Sequence, residues 1–224
     1  MGDKRPRRHP LRSALRVWHL QNVTDETRTP AARERHVGAE WLRAQPSLTG
    51  TPPLLDLNSL PHDPIEMFDE WLRAAVHAGV PEPHAAALVT LDADGVPDAR
   101  TLIIKEVSEQ GWAFAGPRSS RKGSQLAAHP VAALNFWWQP VVRAVRVRGI
   151  VREATAADSD ADLAARSASA REDVAPGDWV LWRIEPTRVE FWQGSPDRRH
   201  TRIVFLSGGG AWDRTHDSAG PRAG

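Results

Sequence analysis

Arg118-Ser119-Ser120-Arg121-Lys122 places three cations and two hydroxyls at the start of a short helical stretch, Ser120–Ala128, that ends before Pro130. Free backbone N–H groups at a helix start, with hydroxyls and cations beside them, suit a phosphate better than they suit a solvated turn. A second run, Arg100-Thr101-Leu102-Ile103-Ile104-Lys105, carries a cation at each end of an apolar strand. If that strand is buried, its cations need partners, and a bound anion is one solution. An edge strand whose charged ends reach water is the other. Near the C-terminus, Glu190-Phe191-Trp192-Gln193-Gly194 leads into Ser195-Pro196-Asp197-Arg198-Arg199-His200-Thr201-Arg202. That segment offers a flat aromatic face beside three arginines and a histidine, a surface for a ring next to an anion, although solvent-facing charge explains it equally well. In Arg143–Arg152, Arg146, Arg148 and Arg152 share one strand face opposite Val145, Val147 and Val151, which reads as a solvated or dimer-facing stripe. The chain's only lysines are Lys4, Lys105 and Lys122 among 29 basic residues. Where arginine serves almost everywhere, an interior lysine points to a need for a compact ammonium. No GxxxxGK[ST] loop is present, so a nucleoside-triphosphatase site is excluded.

These runs need elements to hold them. A helix is expected over Pro64–Ala78, with Asp63 as N-cap, Glu66 completing a capping box, an apolar stripe of Ile65, Phe68, Trp71, Leu72, Ala75 and Val76, and Gly79 as a left-handed stop. The hydrophobic period then changes to two. Strands are expected at Ala86–Leu91, Ala99–Val107, Trp112–Gly116, Val131–Trp138, Val141–Val151, Val180–Ile184, Arg188–Gln193 and Arg202–Leu206, with Asp94-Gly95 as a hairpin turn. A helix is expected near Ala156–Arg166 and a loop over Ser167–Asp178. The pattern is mainly β with flanking helices: six or more mostly antiparallel strands in a closed or split barrel, with no βαβ unit. Residues 1–55, broken by prolines, read as a mobile basic arm with short helices possible near Ala14–Leu20 and Ala31–Arg43; 56–213 form the barrel domain, and 214–224 a disordered tail.

The 224 residues, 41% hydrophobic, suit one domain with an arm. A net charge of +1 gives no general pull toward nucleic acid or membrane. No apolar run is long enough to cross a bilayer and no signal-peptide pattern opens the chain. The absence of cysteine excludes disulfides, thiolate catalysis and Cys-ligated zinc, and the cytoplasm is the expected compartment.

In order and in type, these segments resemble the pyridoxamine 5'-phosphate oxidase family. The likeness runs from Asp63-Pro64 to about Leu206 and is most specific at Arg100–Lys105, Ser120-Arg121-Lys122 and Val189–Arg202. It implies a split barrel with FMN between two subunits, and a substrate phosphate ester stacked on the flavin. Hydride would pass from the substrate carbon to flavin N5, with O2 as final acceptor. It further implies that Arg100, Lys105, Arg121 and Lys122 hold the FMN phosphate and nearby polar atoms, that Thr101, Leu102, Ala115 and Gly116 line the cofactor, and that Trp192 and Arg202 reach it from the closing strands. Arg198 and His200 would be the catalytic pair facing the substrate, with Lys105 and Arg166 as further substrate ligands. Strand alternation puts Arg100 and Lys105 on opposite faces, so both serve only through a bulge or in different subunits' sites.

The chain also departs from the family pattern. Ala144 stands where a glutamine usually meets the flavin, the substrate-phosphate segment around 159–178 is shortened, and there is no tyrosine anywhere. Three functions are therefore carried: an FMN-dependent oxidase of pyridoxamine or pyridoxine 5'-phosphate, a related oxidase of another substrate such as a dihydro-aromatic intermediate of secondary metabolism, and a flavin-binding module without turnover.

Overall fold

The computed structural model describes residues 37–208 and 210–218. The chain divides into two units, Met1–Gln45 and Pro46–Gly224. In the first, the described part holds one short helix, α1 (Ala39–Ala44), with no buried residue; the helix expected near Ala14–Leu20 lies outside the described residues. No described helix is long and apolar enough to cross a membrane.

In the second unit, α2 (Pro64–His77) begins where Asp63 accepts hydrogen bonds from the backbone N–H of Ile65 at 2.6 Å and Glu66 at 3.4 Å. It stops at Gly79, which takes φ +71°. The buried face is Pro64, Met67, Phe68, Trp71 and Ala75, so Met67 joins the expected stripe while Val76 lies exposed. Phe68 sets its ring edge-on to Trp112 at 5.5 Å and Phe136 at 5.0 Å, and Trp71 meets Phe191 at 5.2 Å. The helix thus plugs the sheet's inner face with aromatic side chains. Phe68→Ala is expected to cost about 3–5 kcal/mol of unfolding free energy, read from the denaturant midpoint.

The sheet has nine strands: β1 (Ala85–Leu91), β2 (Pro97–Ile103), β3 (Glu106–Ser108), β4 (Gly111–Pro117), β5 (Val131–Trp138), β6 (Arg143–Glu153), β7 (Trp179–Gln193), β8 (Thr201–Gly208) and β9 (Ala211–Ser218). Their order is β2-β1-β5-β6-β7-β4-β3, with β8 on β7 and β9 on β8. Every pair is antiparallel. Between them lie α3 (Arg121–Ala128), α4 (Ala156–Ala164) and α5 (Ala168–Glu172). In β6, Val145, Val147 and Val151 point inward and Arg146, Arg148 and Arg152 outward, as alternation predicts.

Several expectations are corrected. The run 99–107 is not one strand, and of the two readings of its cations the edge strand is the one the fold bears out. β2 is a sheet edge with no buried residue, and the chain then bends at Ile104-Lys105, where Ile104 N–H donates to His84 O and Lys105 N–H to Ala113 O. The two strands expected on either side of Glu185-Pro186-Thr187 are one, β7. Proline lacks a ladder N–H, yet it sits where the β6–β7 register shifts at Arg148/Gly149, a bulge that tolerates it. Gly149 is needed there, because a Cβ would lie 1.9 Å from Glu185 O. The expected loop 167–178 contains α5. The expected tail from 214 is strand through Ser218, paired to β8. Residues 46–55 belong with the sheet: Thr51 N–H donates to Pro140 O, Gln139 Nε2 to Thr49 Oγ1, and Gln193 Nε2 to Pro53 O.

Candidate functional site

Ser120 caps α3, its Oγ accepting from Gly123 N–H at 3.3 Å and donating to Pro117 O at 2.6 Å. This fixes the β4–α3 turn and sets Arg121 and Lys122 in the first helical turn. Arg118 and Ser119 are already occupied: Arg118 pairs with Glu153, and Ser119 Oγ donates to Asp178 at 2.6 Å. Arg100, on β2, reaches the same place. Its guanidinium donates to Thr90 Oγ1 at 2.5 Å, Gln125 Oε1 at 2.8 Å and Asp98 Oδ2 at 3.1 Å, while Arg121 Nε lies 2.8 Å from that Asp98 oxygen. Gln125 Nε2 also donates to Asp98. Together these bonds hold the Asp98 carboxyl below its usual pKa, the amide contributing most and the cations adding to it against desolvation.

Lys122 is different. Among the described residues it has no carboxylate within ion-pair distance; its Nζ lies 3.4 Å from Ser120 Oγ and 5.7 Å from the Trp182 ring centroid. Burial pushes its pKa down, and the nearby charge of Arg100 pushes it further in the same direction. The ammonium sits over Gly116, where a Cβ would come within 2.0 Å of Nζ. Three cations therefore converge with one carboxylate, Asp98, between them. Gly116→Ala is expected to leave the melting temperature nearly unchanged, since a flexible lysine end can yield, but to move the ammonium and weaken anion uptake at this corner.

Of the other expected cofactor contacts, Ala115 adjoins Gly116 on β4, Leu102 is half-buried on the Arg100 face of β2, and Thr101 is exposed on the opposite face. The partners Thr90, Asp98 and Gln125 escaped the sequence reading, although Asp98 two residues before Arg100 on a strand puts both on one face.

A second cluster lies where β7 meets β8. Trp192 and His200 rings are 4.9 Å apart at 46°, and Trp137 of β5 lies 6.2 Å from Trp192. Trp137 and Trp192 flank Ala144 across the ladder. His200 Nδ1 accepts from Ser195 N–H at 3.1 Å, which in the neutral ring leaves Nε2–H free to donate. Arg198 takes φ +63° at the end of the turn, its N–H bonded to Ser195 O. That left-handed backbone is costly for a non-glycine residue. Its guanidinium has no ion-pair partner among the described residues, whereas Arg199 pairs with Asp197 at 3.1 Å. Arg202 Nε lies 3.4 Å from Glu190, which also binds Arg146 and Arg188. Burial alone would raise Glu190, but the Arg188 hydrogen bond and the three arginine charges bring its pKa below the usual range.

The remaining residues form a third group. Lys105 Nζ lies 3.5 Å from Asp162 of α4, and the Arg166 guanidinium stacks 4.5 Å over Trp179. Among the described residues no side-chain hydrogen bond or ion pair joins one group to another. A cleft of about 580 Å³ lined by Arg152, Asp158, Arg183 and Trp212 contains none of the expected site residues. Of the expected site residues, Lys105 lines a smaller cleft of about 300 Å³ with Phe68, Leu72, His84 and Ile104.

The antiparallel sheet, with its basic corner and its Trp–His–Arg strand end, is matched among known proteins. Residues 72–193 match the family profile described as pyridoxamine 5'-phosphate oxidase, and 179–216 match the one described as the pyridoxine 5'-phosphate oxidase C-terminal dimerisation region. A pyridoxine/pyridoxamine 5'-phosphate oxidase of Thermosynechococcus vestitus is 40% identical over 183 residues, 68% of this chain and 87% of the relative. One of Cupriavidus necator is 40% identical over 182 residues, 67% and 86% of the two chains. Among solved structures, PhzG from Burkholderia lata 383, in complex with tetrahydrophenazine-1-carboxylic acid, superimposes with TM-score 0.70 at 25% identity over 76% of this chain and 100% of its own. A related FMN-binding protein of Nostoc punctiforme shares the fold at TM-score 0.57 and 16% identity, over 73% and 99%. The chain belongs to the pyridoxamine 5'-phosphate oxidase family.

Proposed function

We propose that this chain is an FMN-dependent oxidase of a small heteroaromatic substrate of the pyridoxine or pyridoxamine type, with O2 as acceptor. The observation that carries this reading is the basic corner: among the described residues Arg100, Arg121 and Lys122 outnumber their single carboxylate, and the half-buried Lys122 ammonium stands over a glycine without a counter-ion. A phosphate dianion supplies the missing charge, so the residues fit FMN. When bound, the flavin would supply the redox chemistry, that of hydride acceptance and reoxidation by O2.

The chain's own residues position the reactants. Arg100, Arg121 and Lys122 hold the phosphate end, and Trp192 and Arg202 meet the cofactor from the β7–β8 end. Along β7, Val180, which pairs with Gly116, and Trp192 are separated by roughly 40 Å of strand if it ran straight at about 3.3 Å per residue. A twofold-related copy, bringing one subunit's β7–β8 end to the other's basic corner, lets both groups meet one flavin, and the match of 179–216 to a dimerisation region supports that homodimer. Arg198 and the free His200 Nε2–H then orient the substrate ring, and the indole of Trp192 excludes water beside it.

The names of the relatives put a 5'-phosphate on their substrate, and the family resemblance would make Lys105 and Arg166 its ligands here. The pairing of Lys105 with Asp162 favours a second reading, a substrate without that phosphate. The oxidase reading is tested by adding pyridoxine 5'-phosphate or pyridoxine to the FMN-loaded protein without oxygen. Loss of the visible flavin band with either supports it, and a flavin that neither reduces contradicts it.

A further inference from the structure

Of the two cations expected to grip a substrate phosphate, Lys105 is already paired with a carboxylate, and that carboxylate is held in place by its helix. α4 starts at Thr155, whose Oγ1 accepts from Asp158 N–H at 3.1 Å. One turn on, the buried Ser159 donates to Thr155 O and accepts from Leu181 N–H at 3.1 Å, which pins the helix to β7. Asp162 lies three residues further, on the same helical face. Its Oδ2 accepts from Trp179 Nε1 at 2.9 Å, its Oδ1 is 3.5 Å from Lys105 Nζ, and its side chain is only 14% exposed. Arg166 lies over the same Trp179 ring, with its Nε buried and lacking an acceptor.

We propose that Asp162 is a specificity-determining residue, an internal carboxylate standing where a substrate phosphate would pair with Lys105, so that this oxidase takes an unphosphorylated ring. The inference rests on the oxidase reading above and names its substrate class. A phosphate drawing Lys105 to itself must either strand a mostly buried carboxylate whose one remaining partner is an indole N–H, or sit against that carboxylate as a like charge. A ring that bears no phosphate meets neither penalty and still finds Arg198 and His200.

The test uses the FMN-loaded full chain and two inert ligands, 4-deoxypyridoxine and its 5'-phosphate, which have no oxidisable 4'-carbon. Calorimetric titration is expected to show the wild type binding the unphosphorylated ligand at least as tightly as the phosphorylated one. Asp162→Asn keeps an acceptor for Trp179 and is expected to tighten the phosphorylated ligand about tenfold or more while leaving the other unchanged. Adding Lys105→Met to that variant is expected to remove the gain, which general loosening of α4 would not do. A wild-type preference for the phosphorylated ligand overturns the inference, as does an Asp162→Asn variant with the wild-type ratio; if that variant fails to fold, the wild-type ratio alone decides. A chain that takes up no FMN fails earlier, before either ligand is added, and removes the oxidase reading together with this one.

Discussion

Lys122→Met is expected to weaken FMN binding about one hundredfold, measured by quenching of flavin fluorescence on titration of the flavin-free chain. A charge-assisted contact to phosphate contributes about 1.5–3 kcal/mol, and among the described residues this ammonium has no competing carboxylate to retain it. The pH dependence has a definite sign. Burial and Arg100 lower the Lys122 pKa in the free protein from the ordinary 10.5, because both disfavour the ammonium. A phosphate dianion favours it and raises the pKa again. Below the lowered pKa the lysine is protonated with or without ligand, and affinity does not vary on its account. Above it, binding must take up a proton, so affinity falls with rising pH by up to about tenfold per unit. The fall starts below 10.5. In Lys122→Met it is absent, and an unchanged alkaline limb in that variant would assign the titration to another group.

Arg198→Ala is expected to leave the bound flavin's colour intact and to slow anaerobic reduction by saturating substrate about one hundredfold or more, the scale on which loss of orientation acts. Arg198 is suited to this role because its neighbours leave it free. Asp197 is spent on Arg199 and on the Arg199 and Ser195 hydrogen bonds, and the left-handed backbone at Arg198 turns the residue out of the β7–β8 connection. His200, with Nδ1 committed to Ser195 N–H, offers the substrate a single N–H and not the guanidinium's several donors. If the colour is lost instead, Arg198 belongs with the cofactor and the division between the two ends of the site is wrong.

The sequence made the helix and most strands legible because their signals are local. Asp63, Pro64 and Gly79 punctuate α2, and alternating valines and arginines mark the faces of β6. It left the run from Arg100 to Lys105 open between a buried strand and an edge, and carried the strand on to Val107 because the turn at Ile104-Lys105 is set by His84 and Ala113, which lie outside the run. Pro186 read as a break because the bulge that tolerates it is made by Gly149 on another strand. The cations of the site were visible as clusters, but their partners were not. Asp98, Gln125 and Thr90 satisfy Arg100, and Asp162 takes Lys105, through contacts that only the folded chain creates. Which cations remain available to a ligand, Lys122 and Arg198 rather than Lys105, is therefore tertiary information. Within one chain, the basic corner and the Trp192 end belong to separate groups of contacts.

All of this depends on the basic corner receiving a flavin phosphate. The direct measurement is equilibrium titration of the purified, flavin-free chain with FMN, with riboflavin as the phosphate-free comparison. Saturation at one FMN per chain, with riboflavin much weaker and the difference lost in Lys122→Met, is the predicted result. No uptake of FMN, or equal affinity for FMN and riboflavin, would contradict the account.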